Sequence, residues 1–348
     1  MKNYIESCVL KKIKKPLDII KLKIPKLLYG QVLVKIYYSG VCRSQLMEKN
    51  GLRGKDKWLP HLLGHEGSGV VIKIGKGVKK VKVNDQVIMT WIKSNGINSK
   101  NPKYFTYANK KINSGKVTTF SNYAVISENR IIKKPKLMPF KYAPLFGCAI
   151  PTGAGIVINQ IKPKKRDVVM VLGLGGVGLS SIMALKALGI RKIIALDKDK
   201  KKLNLAKKIG ATNLILLNSK NVKNKILKLS KNYKADFCIE SAGLTSTIEL
   251  AFSLINNEGK LIFASHPPNH KKIKLNPHDL ISGKKIEGSW GGSSNPDTDI
   301  PKLFKLFLNK KIKYNAIAKK VYSLNDINKA MKDLESGRVF RPIIKMRH

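Results

Sequence analysis

The stretch that most constrains this chain is DVVMVL (167–172), followed by Gly173, Leu174, Gly175, Gly176, Val177 and Gly178 and then by LSSIMALKALG. The apolar run reads as a strand, the glycines as a turn and the remainder as a helix. Gly173 allows a tight turn, Gly175 lets backbone approach a bound pyrophosphate, and Gly178 lets helix and strand pack closely. The helix N-terminus adds free amides and positive potential. The next apolar strand, KIIAL, ends in Asp197, nineteen residues after Gly178, where a carboxylate can accept both hydroxyls of a ribose. Together these features predict a dinucleotide site. An acid at that strand end repels a 2′-phosphate and so favours NAD over NADP, an argument softened by Lys198, Lys200, Lys201 and Lys202.

The order of elements around this turn predicts two kinds of domain. The first 150 or so residues read as short extended segments, including 31–38, 67–74 and 86–90, punctuated by Gly, Asn, Pro and Lys. From about Lys164, apolar strands alternate with helical stretches. Strands are expected at 168–172, 193–196, 214–217, 236–240, 260–264 and 284–287, with helices at 179–188 and 200–209. Six strands in such alternation make a complete doubly wound parallel sheet. The tail predicts helices at 301–308 and 326–334 and a final strand at 342–345. No internal repeat or long low-complexity linker interrupts the chain.

Length and charge narrow the class. At 348 residues two cores are expected. The four cysteines, Cys8, Cys42, Cys148 and Cys238, are scattered along the chain, unlike a small disulfide framework, and point to a reducing cytoplasm. No apolar run suggests a signal peptide or a membrane span. The formal charge of +47, from 68 basic and 21 acidic residues, favours polyanionic partners in principle. The lysines nevertheless spread through every segment and accompany many Ile and Asn residues, the pattern of a compositional bias. No specific nucleic-acid partner is expected, because diffuse charge binds without base readout.

A second constellation lies ahead of the dinucleotide turn: Cys42 in SGVCRSQ, His65 and Glu66 in LLGHEGSG, and Cys148 in LFGCAIPTGAG. Two thiolates and an imidazole leave one tetrahedral position open, the arrangement of catalytic zinc. Singly, each residue is more often a buried hydrophobe or a structural histidine; in combination they carry weight. GHEGSGVVIKIGKGVKKVKVNDQV, SGVCRS, TTFSNYAVISENRI, FGCAIPTGAG, the glycine turn with Asp197, NPHDLISGKKIEGS and VYSLNDINKAMKDLESGRVFRPII together resemble the zinc-containing medium-chain dehydrogenase/reductase family, over nearly the whole chain.

That resemblance implies an α/β protein: a GroES-like β-rich catalytic domain formed by residues 1–152 and 290–348, with a Rossmann NAD-binding domain, 153–289, inserted between them. It implies an alcohol dehydrogenase that moves hydride between an alcohol, or an aldehyde or ketone, and NAD(H). Cys42, His65 and Cys148 match the zinc ligands and Glu66 the acid beside the metal. Ser44 matches the hydroxyl that relays the substrate proton, and Trp91 an aromatic wall of the substrate pocket. Arg43 and Arg341 match basic residues at the pyrophosphate, and Lys202 a lysine near the adenine ribose. Relatives form dimers or tetramers, so a homo-oligomer is expected.

Three features depart from the family pattern. The stretch between Trp91 and Phe120 lacks the four cysteines of a structural zinc, with Asn95 and Asn98 where a pair is expected, so one catalytic zinc per subunit is predicted and the lobe must be held by other contacts. Gln45 stands where the family usually has an aspartate supporting the metal, and an amide brings no negative charge. Met47 replaces a histidine that passes the proton to solvent in some relatives, which would leave Ser44 and the cofactor ribose as the route. Two readings compete with the dehydrogenase: a zinc-free reductase of the same superfamily acting on a quinone or enoyl substrate, and a catalytically impaired scaffold that binds polyanions.

Overall fold

Strand alternation in the middle of the chain produces a six-stranded, wholly parallel sheet. The computed structural model describes residues 4–218, 221–229 and 234–348. In chain order the strands of this sheet are Val168–Leu172, Lys192–Asp197, Asn213–Leu216, Ala235–Glu240, Ile255–Phe263 and Lys285–Gly288. Their spatial order is third, second, first, fourth, fifth, sixth. This is the Rossmann arrangement, in which the order reverses beside the first strand and leaves a crevice at the strand C-termini. Strands covered on both faces must be apolar along their whole length, and VVMVL and KIIALD are buried almost throughout. Met170, Leu172, Ile194, Leu196, Cys238 and Leu261 form the centre of that core; each fully buried aliphatic side chain contributes roughly 1.5–3 kcal/mol.

The helix after the glycine turn, Gly176–Ala187, begins three residues before the predicted start and has no polar face, since it packs on the sheet and against a second buried helix, Ala149–Gly155. That second helix continues as a π-helical segment, Ile156–Ile161; the motif LFGCAIPTGAG, which carries Cys148, predicts no helix there. Its glycines are close-approach points: a Cβ on Gly153 would lie 2.1 Å from the Val177 carbonyl oxygen, and one on Gly155 would lie 2.5 Å from that of Gly292. The predicted helix at 301–308 is longer, Pro296–Asn309, with Asp297 and Asp299 in its first turn and Pro301 inside it. The first-turn acids suit the positive end of the helix, while Pro301 forgoes one backbone hydrogen bond.

The β-rich part is built from both ends of the chain. Gln31–Gly40 pairs with Gly67–Ile74 and with Tyr123–Ser127, and the C-terminal strand Ile343–Lys345 adds antiparallel to its end, Ile343 opposite Gly40. Gln86–Met89 and Ile131–Lys133 extend this sheet on one side and Val321–Ser323 on the other. A smaller sheet joins Tyr4–Leu10, Asp18–Lys23 and His61–Leu62. By contact density the chain divides into one unit of Met1–Cys148, Asn295–Pro301 and Ala318–His348, and another of Ala149–Ser294 and Lys302–Ile317. Among the described residues, no helix is long and apolar enough to cross a membrane.

Candidate metal centre and dinucleotide turn

Three segments of the β-rich unit deliver Cys42, His65 and Cys148 to one place. Cys42 ends the turn after Gln31–Gly40 and precedes the short helix Arg43–Lys49; His65 stands just before Gly67–Ile74; Cys148 follows a 3-10 turn, Ala143–Gly147. The two sulfurs and a ring nitrogen of His65 all lie within 4.8 Å of one another, and His65 Nε2 is 3.3 Å from Cys148 Sγ. The hydrogen bond from Cys148 holds the Cys42 thiol well below its ordinary pKa, aided by the charge of Arg341, while Cys148, the donor, is pushed well up. Two soft sulfurs and an imidazole at this spacing fit zinc, whose bonds to S and N run near 2.3 and 2.0 Å. By contrast, Cys8 and Cys238 are buried elsewhere; burial raises both thiols, and the charge of Glu240 adds to the effect at Cys238.

Glu66 and Arg341 form a buried ion pair beside the triad, at 0% and 4% side-chain exposure. Burial raises the Glu66 pKa even against the opposing charge of Arg341. Burial works against the arginine's charge too, but Glu66 and then Cys42 more than reverse it. Glu66 Oε2 and Arg341 Nε have no hydrogen-bond partner. Two glycines make room for this carboxylate: a Cβ on Gly40 would strike Glu66 Oε1, and one on Gly147 would lie 3.1 Å from Glu66 Cβ and 2.4 Å from the Met89 carbonyl oxygen. Sequence reasoning passed over both, although each sits within two residues of a cysteine of the triad.

Ser44 Oγ is buried and makes no hydrogen bond, so its capacity to donate and accept is unspent. Trp91 stands edge-on to His65, ring centroids 6.4 Å apart. Thr90, another residue the sequence did not flag, ties the segment that carries Trp91 to this place by donating from Oγ1 to the Gly147 carbonyl at 2.8 Å. Gln45 bridges Cys42 and His65, accepting from the Cys42 N–H at 2.7 Å and meeting His65 Nδ1 at 2.5 Å. Arg43 is exposed and Met47 half-buried.

The lobe between Trp91 and Phe120 is tied by oxygen and nitrogen. Glu128, 2% exposed, accepts from the backbone N–H groups of Lys79, Lys80 and Ile97, each at 2.7 Å. Lys80 Nζ reaches Ser94 Oγ at 2.8 Å and pairs with Asp297, which also accepts from the Asn95 N–H. Further in, the Tyr104 hydroxyl accepts from the Val125 N–H at 2.8 Å, and burial pushes its pKa up to about 12. Glu128 was not foreseen, and an isolated acid in ISENRI carries no signal of such a role.

In the parallel-sheet unit, the glycine turn has the geometry its spacing implies. Gly173 has φ +88°, open to glycine and costly for other residues, and a Cβ there would meet the Ala242 backbone at 2.5 Å. A Cβ on Gly178 would lie 2.0 Å from the Gly173 carbonyl oxygen, whereas one on Gly175 meets nothing within 4 Å. Gly175 is therefore the point where an outside group can approach backbone, and it caps the helix that starts with Gly176 and Val177. Asp197, 5% exposed, accepts from the Leu174 N–H at 2.7 Å and the Asp199 N–H at 3.0 Å, which holds its carboxylate at the turn. Lys202 Nζ is 3.9 Å from Asp197.

Comparison with known proteins agrees with this geometry. Residues 29–136 match the alcohol dehydrogenase GroES-like domain and residues 176–309 the zinc-binding dehydrogenase model. An alcohol dehydrogenase zinc-binding domain protein from Burkholderia ambifaria is 28% identical, with a TM-score of 0.92 over 99% of each chain. Benzyl alcohol dehydrogenase from Acinetobacter calcoaceticus is 29% identical, with a TM-score of 0.90 over 100% of each chain. A more distant E. coli CFT073 alcohol dehydrogenase, solved with NADH, shares the fold at 21% identity and a TM-score of 0.81 over 99% of this chain and 100% of that one. The chain belongs to the alcohol dehydrogenase family of zinc-binding dehydrogenases, within the medium-chain dehydrogenase/reductases, and is an oxidoreductase of that family.

Proposed function

We propose that this protein is a zinc- and NAD-dependent alcohol dehydrogenase, acting in the cytoplasm as a homo-oligomer on a small alcohol or on the corresponding aldehyde or ketone. The observation that carries the reading is the convergence of Cys42, His65 and Cys148 within 4.8 Å. A zinc-free reductase acting on a quinone or enoyl group has no use for such a donor set. Zinc held there would supply Lewis acidity toward an alcohol oxygen, and NAD would supply the hydride-accepting carbon.

The chain's own residues then have separable roles. Ser44 Oγ takes a proton from the alcohol and returns it in the reverse direction, a role supported by its being buried without a hydrogen-bond partner. Trp91 supplies an apolar wall beside His65. Glu66 is held next to the triad, with Arg341 compensating its charge; the unpartnered Arg341 Nε–H remains for an anionic group, as does the exposed guanidinium of Arg43. Gly173, Gly175, Gly176, Val177 and Gly178 form the backbone cradle for a pyrophosphate. Asp197 accepts the ribose hydroxyls with Lys202 beside it, and its charge discriminates against a 2′-phosphate.

The deciding experiment is metal analysis of purified protein combined with fluorescence titration by NADH and NADPH. About one zinc per chain with tighter binding of NADH supports the reading and justifies a screen of alcohols and aldehydes. Protein that turns over alcohols without zinc, or that prefers NADPH, overturns the corresponding half.

A further inference from the structure

Beside the proposed metal ligands, one amide side chain is shared between the Cys42 N–H and the His65 ring. Gln45, 1% exposed, lies on the helix Arg43–Lys49 three residues after Cys42. The Cys42 N–H can only donate, so the Gln45 atom 2.7 Å from it is the oxygen, Oε1. The amide nitrogen is thereby turned toward His65 Nδ1, 2.5 Å away, and donates to it. The other ring nitrogen, Nε2, faces Cys148 Sγ and is the one aimed at the donor cluster. An imidazole that gives its Nε2 lone pair to a metal carries its proton on Nδ1. His65 Nδ1–H and Cys42 N–H then both need an acceptor, and a glutamine has one oxygen and one NH2 group to offer. A carboxylate at the same place has two oxygens and satisfies both.

We propose that Gln45 is a positioning residue that keeps the zinc site weakly held: metal ligation by His65 turns the Gln45 amide over and leaves the Cys42 N–H without its acceptor. Zinc is consequently bound more loosely, and released faster, than the same three ligands would hold it with an acid at position 45. The site is tuned to follow zinc supply instead of retaining the ion permanently. This inference rests on the zinc reading above and adds to it the residue that sets how firmly zinc is held.

The test compares zinc-loaded wild type with Gln45→Glu, whose side chain has the same length, in competition with a chromophoric chelator, with circular dichroism to establish that the variant is folded. Outer-sphere partners of metal ligands typically change affinity 10- to 100-fold, and Gln45→Glu should tighten zinc by about tenfold or more and slow its release. A second readout needs no variant: the side-chain NH2 signals of Gln45, recorded by 1H–15N NMR with and without zinc, should lose the downfield position of a proton donated to His65. A folded Gln45→Glu that holds zinc no more tightly than wild type, or Gln45 signals that do not move on loading, overturns the proposal. Wild-type protein with no zinc at any chelator concentration removes the zinc reading itself and this inference with it, an outcome distinct from the other two.

Discussion

The triad and the lobe from Trp91 to Phe120 solve the same problem with different atoms. Each must join segments far apart in sequence. At the triad, three loops converge on two sulfurs and an imidazole, and the surrounding polar groups, Glu66, Arg341 and Ser44, retain unused hydrogen-bonding capacity. In the lobe, the joining atoms are the two carboxylate oxygens of Glu128, and both are spent on backbone N–H groups from the 79–80 and 97 segments. A saturated hydrogen-bond knot does the tying that the family often gives to a structural zinc, and it leaves nothing over for chemistry. The unsaturated cluster is the one suited to bind an ion and a substrate.

Changing a ligand should produce the largest effect. Replacing both Cys42 and His65 with alanine is expected to remove zinc and lower turnover by about a thousandfold or more, since the several kcal/mol that a Lewis acid contributes correspond to that factor. Thermal unfolding of the lobe should barely change. Turnover by a metal-free double variant would show that the triad is structural, erasing the contrast.

Glu128→Gln makes the reciprocal change and should have a smaller effect. It places an NH2 group against a backbone N–H and discards charge-assisted bonds, a loss of roughly 2–3 kcal/mol. Hydrogen exchange at Lys80 and Ile97 should accelerate by roughly 30- to 160-fold while zinc content stays unchanged. The same carboxylate gives the lobe an acid limit. Although burial opposes it, the amides of Ile97, Lys80 and Lys79 hold the Glu128 pKa below its usual value. Its contribution is therefore fully present above the unfolded carboxylate range, near ~4.3, and is lost as pH falls through the lowered folded value. Protection of the Ile97 amide should fall in that acid window in wild type and show no such step in Glu128→Gln.

Lys80→Met should have the mildest effect, about 1 kcal/mol. The ion pair with Asp297 is partly solvated, and Ser94 Oγ keeps a second partner in the Asn129 carbonyl. A loss as large as that of Glu128→Gln would mean that Lys80, and not the carboxylate, is the centre of the knot.

Much of the fold was legible because its signals are local. GLGGVG between VVMVL and LSSIMAL announces itself through glycines whose spacing answers to adjacent backbone, and the parallel strands are nearly pure apolar runs since both faces are covered. The helix at 149–161 was not legible. Pro151, Gly153 and Gly155 resemble loop residues, yet they lie in a helix, where Gly153 and Gly155 admit the close approach of Val177 and Gly292. Position 45 illustrates a different limit: the sequence shows a glutamine where the family resemblance implies an acid, but only coordinates show its oxygen committed to Cys42 and its nitrogen to His65.

The sequence by itself determined the parallel sheet and the glycine turn with its acid, because each depends on residue type and short-range spacing; it offered the three metal-type donors only as distant residues that the fold then brings together. Tertiary structure alone decided that Arg341 lies buried against Glu66, that Gly40 and Gly147 leave room for that carboxylate, and that Glu128 holds the lobe. Those outcomes depend on which distant segments meet and which hydrogen-bonding groups are left over when they do. No local pattern encodes that meeting.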